Sequence, residues 1–398
     1  MQNVAELDIA SDAHCENPTP LDRATQLVPF LFERARTSET MRRLAPESFE
    51  ALREAGLFKV YVPRRFGGLE LPPAEAVEIF AEVSRGDGAA GWVTTIMGTN
   101  GWMVAQFPEA VQEEVFGGGD PRVVGVLGGG GGRGEAAPVD GGYTLSGFWP
   151  FCSGCHYADW VVLSAKIPNG DGGTPLQRLF LVPQSKLTIK DDWYTTALAG
   201  SGSNTVTCTD VFVPAHRVID LDEAIASKDK SALYRINFVN MFAYQLTGPA
   251  LGFARAAVEH FVGRAPKKGI AYTFYEDQSQ APVAQMRLGE ALVKIEAATA
   301  LAHRDMNRMI AEAEGEPADF LKRGQRRADA SYVERLCLEA IETLYLASGA
   351  NSITESSPLQ RIARDIHANN MHGIAALDTS LELLGRLRLG LEPNTYVI

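Results

Sequence analysis

The sequence predicts a mainly α protein in which a central antiparallel β domain separates an N-terminal helical domain from a C-terminal helix bundle. Three observations predict it. Apolar residues recur at helical spacing up to about residue 118. Gly and Pro then become dense, and short alternating or β-branched runs fill 119–225. Long one-sided apolar patterns return over 226–398. The expected divisions are therefore 1–118, 119–225 and 226–398.

In the first zone, Leu52, Ala55 and Gly56 recur at helical spacing before Phe58. Pro72 and Pro73 precede a helix with Val77, Phe80, Ala81 and Ser84 on one face, closed by Gly86. Gly91 to Phe107 is apolar and holds Trp92 and Trp102, as a buried helix would. In the second zone the strand candidates are Arg122–Leu127, Tyr143–Phe148, Trp160–Ala165, Leu179–Val182 and Thr205–Val213, with Asp140-Gly141-Gly142 as a hairpin turn. In the third, Gly248–Val262, Val283–Ile310 and Ala330–Ala347 read as helices, and Gly349-Ala350-Asn351-Ser352 breaks the pattern. Ser357-Pro358-Leu359-Gln360 reads as a capping box with proline at the first helical position.

Composition narrows the function. The chain has 398 residues, 45% of them hydrophobic, enough for a large core. A net charge of -12 does not suit nucleic acid or anionic membranes, which demand excess Lys and Arg. No apolar run reaches the roughly 18 residues of a membrane span. Met1 to Pro20 is polar and acidic, without the basic-then-apolar pattern of an export signal. The five cysteines, Cys15, Cys152, Cys155, Cys208 and Cys337, are odd in number and scattered. A cytoplasmic location is the expectation.

Several motifs carry possible chemistry. Gly128–Gly132 with Arg133 and Gly134 can be forced onto G-x-G-x-x-G, but that fingerprint must open a helix, and Gly134–Pro138 leads into a hairpin. A plain flexible loop and a backbone approach to a planar ligand both remain open for it. Cys152 and Cys155 have C-x-x-C spacing without a second ligand pair, so no metal site is expected. The stretch from Phe148 to Trp160 concentrates aromatics, a hydroxyl and glycine between two strands, suited either to core or to one face of a flat cofactor. His367 and His372, read as lying on one helix five residues apart, would point about 140° apart and could not share a ligand.

Three stretches together resemble the acyl-CoA dehydrogenase superfamily over about residues 25–390. Gly56-Leu57-Phe58 through Val62-Pro63-Arg64-Arg65-Phe66-Gly67-Gly68 resembles its N-terminal run. Trp149 through Trp160 resembles the signature of its flavin-dependent monooxygenase branch. Ala199-Gly200-Ser201-Gly202-Ser203-Asn204 with Asp210-Val211-Phe212-Val213-Pro214 resembles a third family segment. Many dehydrogenases of the family carry a catalytic glutamate downstream of Arg-Asp. Aligned on Arg364-Asp365, that position is Gly373, and the preceding residue is His372.

The resemblance implies the oxygenase component of a two-component monooxygenase. It would use reduced flavin (FMNH2 or FADH2) and O2 to hydroxylate a small aromatic substrate, phenolic, indolic or polyketide, through a flavin C4a-hydroperoxide. The partner would be a separate NAD(P)H-dependent flavin reductase, and the assembly a homotetramer. By the same resemblance Ser153 and His372 are catalytic. Trp149, Ser201, Ser203 and Arg264 join them in holding the cofactor, although Ala265-Pro266-Lys267-Lys268 departs from the family pattern after Arg264. Trp92, Trp102 and His367 are expected around the substrate, with His372 or His367 as a base for a phenol. The alternatives are an acyl-CoA dehydrogenase, an N-hydroxylating monooxygenase of the same fold, and a non-catalytic helical scaffold.

Overall fold

The computed structural model describes residues 18–127, 133–168, 175–226, 230–316, 318–395 and 397–398. The chain enters through α1 (Pro20–Met41). Its N-cap Thr19 accepts from the Asp22 N–H at 3.1 Å while the Asp22 carboxylate accepts from the Thr19 N–H at 3.0 Å. Helices α2 (Pro46–Glu54), α3 (Pro73–Gly86), α4 (Gly88–Val104) and α5 (Glu109–Phe116) follow. The Pro63–Gly68 turn explains two of the glycines read in the sequence. Gly67 takes φ 74°, and a Cβ on Gly68 would fall 2.0 Å from the Val62 carbonyl oxygen. Val77, Phe80, Ala81 and Ser84 are all buried, as their spacing predicts. Every residue of α4 except Ile96 is buried, which makes it the central helix of this layer.

The sheet holds β1 (Val123–Val126), β2 (Arg133–Val139), β3 (Gly142–Cys152), β4 (Trp160–Ile167), β5 (Leu176–Pro183), β6 (Thr188–Ile189), β7 (Asn204–Pro214) and β8 (Val218–Ile219). All five expected strands are present, and Asp140-Gly141 turns β2 into β3. The order is β6-β7-β3-β2-β4-β5-β8. It is not wholly antiparallel: β1 runs parallel to β4, and β2 meets β4 in a parallel pair at Glu135 and Lys166. Gly128–Gly132 lies outside the described residues. Arg133 and Gly134 belong to a strand, so that glycine run does not open a helix.

The third layer contains α6 (Leu221–Ala226), α7 (Phe238–Gln245), α8 (Thr247–Arg264), α9 (Pro282–Ala313), α10 (Phe320–Ala347), α11 (Pro358–Asn370) and α12 (Leu377–Arg388). Helix α10 starts ten residues before the apolar pattern suggested, at its N-cap Asp319. Two expectations fail here. Ser357 is the N-cap of α11, but neither half of the box forms: its hydroxyl makes no cap bond, and the Gln360 side chain accepts from the Arg364 Nε–H at 2.8 Å rather than reaching back to the cap. His372 is not on a helix with His367: α11 ends at Asn370, and α12 follows it. The angle drawn between the two histidines therefore does not apply. Packing of α3 on α1, α4 and α8, and of α10 and α11 on α8, joins both helical layers around one core. Among the described residues no helix is long and apolar enough to cross a membrane.

Candidate active site

The site forms where β3 leaves the sheet. Its register with β7 slips between Trp149 and Cys152, Phe151 takes φ 63°, and Gly154 takes φ 75°. The Gly154 N–H donates to the Ser201 carbonyl at 2.9 Å, which pins this turn to the 3-10 turn Ala199–Ser201. Ser153 is thereby turned inward beside Ser203, with 2.7 Å between their Oγ atoms. Ser203 in turn lies 2.6 Å from the Ser201 Oγ. From α4 the Trp92 indole N–H donates to the Ser153 Oγ at 3.0 Å. All four side chains are buried.

His372 closes the group from the turn between α11 and α12. Its ring centroid lies 5.9 Å from that of Trp92, tilted by 59°. Burial pulls its pKa from 6.5 down to about 4, so the imidazole is neutral at neutral pH. The Ile374 N–H approaches its Nδ1 at 3.4 Å, which leaves the proton on Nε2, available to donate. A group titrating near 4 is a weak base at neutral pH, so the structure supports donation rather than deprotonation of a phenol.

The turn with the serines has a support that the sequence reading missed. Asp365, fully buried on α11, accepts the Leu198 N–H at 2.6 Å. Burial raises its carboxyl to about 7, opposed by the Leu198 N–H bond and the Arg361 charge, and helped by neighbouring Asp87. Next to it, Arg364 is ion-paired with Glu39 at 2.6 Å. The Arg364-Asp365 dipeptide had served only to align the segment; its chemistry shows once α11 is laid against Leu198.

The remaining expected residues are placed elsewhere. Trp149 fills the sheet core: its N–H donates to the Ser164 carbonyl at 2.8 Å, and its ring lies where Cβ atoms on Gly134 and Gly147 would fall, 2.6 and 2.9 Å away. Trp102 donates to the Leu233 carbonyl at 2.8 Å. His367 is half exposed and lies 3.3 Å from the Glu342 carboxylate. Arg264 ends α8 and is not joined to the serine group. Cys152 and Cys155 are buried neighbours, and their mutual hydrogen bond, with burial, raises the Cys152 thiol.

The donor set suits the polar edge of a planar, neutral heterocycle such as a flavin ring. Three serine hydroxyls share two hydrogen bonds, so one proton remains to be donated outward. The neutral His372 adds a second donor.

Comparison with known proteins gives the family. The family described as "Acyl-CoA dehydrogenase, N-terminal domain" matches residues 24–116, and "Acyl-CoA dehydrogenase, C-terminal domain" matches residues 244–376. The flavin-dependent monooxygenase oxygenase subunit HsaA of Rhodococcus jostii (strain RHA1) is 30% identical over 93% of this chain and 98% of its own. The oxygenase component of the FADH(2)-dependent resorcinol hydroxylase of Rhizobium sp. (strain MTP-10005) is 32% identical over 90% and 91%. Among solved structures, XiaF from Streptomyces sp. in complex with FADH2 and glycerol superposes with a TM-score of 0.88 at 28% identity, covering 94% of this chain and 96% of that one. With its helical and β layers in the family's order and relatives matched over nearly their full length, this chain belongs to the acyl-CoA dehydrogenase superfamily, in the branch of flavin-dependent monooxygenase oxygenase components.

Proposed function

We propose that this chain is the oxygenase component of a two-component monooxygenase that hydroxylates a small aromatic substrate with reduced flavin and O2. The observation that carries the reading is the buried Trp92–Ser153–Ser203–Ser201 chain beside a neutral His372. Many dehydrogenases acting on thioesters carry the carboxylate that abstracts the proton at the position of Gly373, where this chain has none. The relatives' names, a resorcinol hydroxylase and a p-hydroxyphenylacetate 3-hydroxylase among them, support an aromatic substrate and a separate reductase.

Reduced flavin, when bound, would supply the two electrons that activate O2, one atom of which goes to the substrate while the other leaves as water. The chain's own part is to hold and shield the flavin. Ser153, with Ser201 and Ser203 behind it, donates to the ring's polar edge. His372 donates from Nε2 to the oxygen being handled, and Trp92 fixes Ser153 while walling the substrate side. Exposed Tyr272, Phe274, Met286 and Val293 offer apolar surface for self-association, in keeping with a homotetramer.

The test is to incubate the protein with a flavin reductase, NADH and O2, and to screen phenols, indoles and polyketide aromatics by mass spectrometry for a gain of one oxygen. Ser153→Ala and His372→Asn should each divert turnover from product to H2O2. Unchanged coupling in both variants, or reduction of an electron acceptor by an acyl-CoA, overturns the reading.

A further inference from the structure

A cavity lies away from the serine and histidine group. It is a cleft of about 290 Å³ between α1, α3, α8 and α11. Val28 and Phe32 of α1, Phe253 of α8 and Ile362 of α11 give it apolar walls. Phe32 is 46% exposed, so the cleft shows a large apolar ring to solvent.

Its polar groups are uneven in how they are satisfied. Arg85 on the rim is engaged by Glu82 at 2.5 Å and Glu259 at 2.7 Å. Arg361 is different. It lines the cleft from the second turn of α11 and, among the described residues, shows no hydrogen bond or ion pair. Its charge acts on Asp365 and Asp87 only at a distance. The Nε2 of His260, also in the lining, is buried without a partner among the described residues. Helix α11 begins at the cleft with Pro358 and lacks a side-chain cap, so the partial positive charge of its first turn is open.

An unpaired guanidinium and an uncapped helix start ask for an acceptor carrying negative charge, and the His260 nitrogen donates to it in its Nε2–H tautomer. The walls ask for a flat apolar body attached to it. Asp365 on the floor does not forbid an anion: its Oδ1 is occupied by Leu198, and burial keeps much of it protonated at neutral pH. We infer that this cleft is a second ligand site for a small aromatic carboxylate, anchored by Arg361 and separate from the flavin-binding group.

The cleft is also tied to the active site. A small adjoining cavity shares Arg361 and Asp365 with it and reaches Leu198, Ala199 and Gly200, next to Ser201. An occupant held by Arg361 therefore sits against the helix that holds the serine turn in place.

The probe is benzoate, with benzyl alcohol as its neutral counterpart, titrated calorimetrically into the full chain. Benzoate should bind the wild type, and Arg361→Gln should weaken it by roughly tenfold, the scale of one charge-assisted pair, while leaving benzyl alcohol unaffected. Ala256→Phe, which fills the cleft from α8, should abolish benzoate binding. Saturating FMN should leave benzoate binding intact, and FMN affinity should be the same in all three proteins. The inference is overturned if benzoate shows no binding at about 10 mM, if FMN displaces it, or if folded Ala256→Phe still binds it. Equal affinity for benzoate in a folded Arg361→Gln also overturns it. These readouts do not depend on monooxygenase activity, so a failure here is separable from a failure of the proposed function.

Discussion

Ser153 has both a hydroxyl to offer and two lone pairs to fill. Trp92 fills one at 3.0 Å. If Ser203 donates across its 2.7 Å contact, the second is filled and the Ser153 proton is the one that faces outward. This makes Trp92 a positioning residue for the serine as well as a wall. Trp92→Phe keeps most of the ring but removes the N–H. It should cost about 1–2 kcal/mol of stability, from a lost buried hydrogen bond and a small void. It should also weaken reduced-flavin affinity by about two- to tenfold, the worth of one misdirected hydrogen bond. Chemical denaturation and anaerobic flavin titration measure the two effects. A variant that loses stability but binds flavin as the wild type does would confine Trp92 to packing. Ser203→Ala should weaken flavin binding in the same direction, since it also empties a lone pair on Ser153.

The helices around this site approach so closely that only glycine fits at their crossings. A Cβ on Gly91 of α4 would lie 1.7 Å from the Ser84 Oγ, and one on Gly252 of α8 would lie 2.2 Å from the Ala81 carbonyl oxygen. Both clashes are with α3, and at Gly252 the obstacle is backbone. Gly252→Ala should therefore destabilise by about 3 kcal/mol as α8 and α3 are forced apart. Gly263→Ala, on the same helix with nothing within 4 Å, should stabilise by about 0.5 kcal/mol through propensity alone. Denaturant midpoints of the pair test this, and a neutral Gly252→Ala would mean the helices separate freely. The element scale also shows what the sequence conveys. Apolar period announces α3, α4 and α8 because burial leaves a local imprint. Caps are less legible: at Ser357 the hydroxyl stays unbonded and Arg364 takes the Gln360 side chain, while the real box at Thr19 uses Asp22 in place of the usual Glu or Gln. The parallel pairing of β1 with β4 joins residues 37 apart, Val123 and Trp160, and has no local signature. In the candidate site, Ser153, Ser201, Ser203 and His372, singled out in sequence by family segments, are brought together around Trp92. Trp149 and Trp102 are not separable from Trp92 in sequence, since a core indole and a wall indole share the same apolar surroundings. Asp365 is legible only once α11 meets Leu198.

Across the whole molecule, two groups tied to this site, the half-buried His372 and the buried Asp365, titrate in the same window with opposite sign. His372 falls from 6.5 to about 4 in the fold because burial disfavours its cation. Between those values the unfolded chain binds a proton that the native state refuses, so its contribution to stability is present above pH 6.5 and lost as pH falls toward 4. Asp365 rises from 3.8 to about 7 because burial disfavours its anion, with Asp87 adding to the effect and the Leu198 N–H, Arg361 and Arg364 opposing it. There the native state holds a proton that the unfolded chain releases, so its contribution is present below pH 3.8 and lost as pH rises toward 7. Each shift is of order 3–4 kcal/mol, and in the wild type they offset one another. Comparing each variant with the wild type cancels the other titrating groups and exposes the two separately. His372→Asn should gain stability relative to the wild type as pH falls from 6.5 to 4. Asp365→Asn keeps an acceptor for Leu198 and should gain relative to the wild type as pH rises from 4 to 7. Urea unfolding at pH 4.5, 5.5 and 6.5 (about half a unit inside each limit) decides it. Differences that stay flat, or slopes of the same sign, would show that neither group is desolvated in the native protein, and a solvated His372 would not be the neutral donor on which the monooxygenase reading relies.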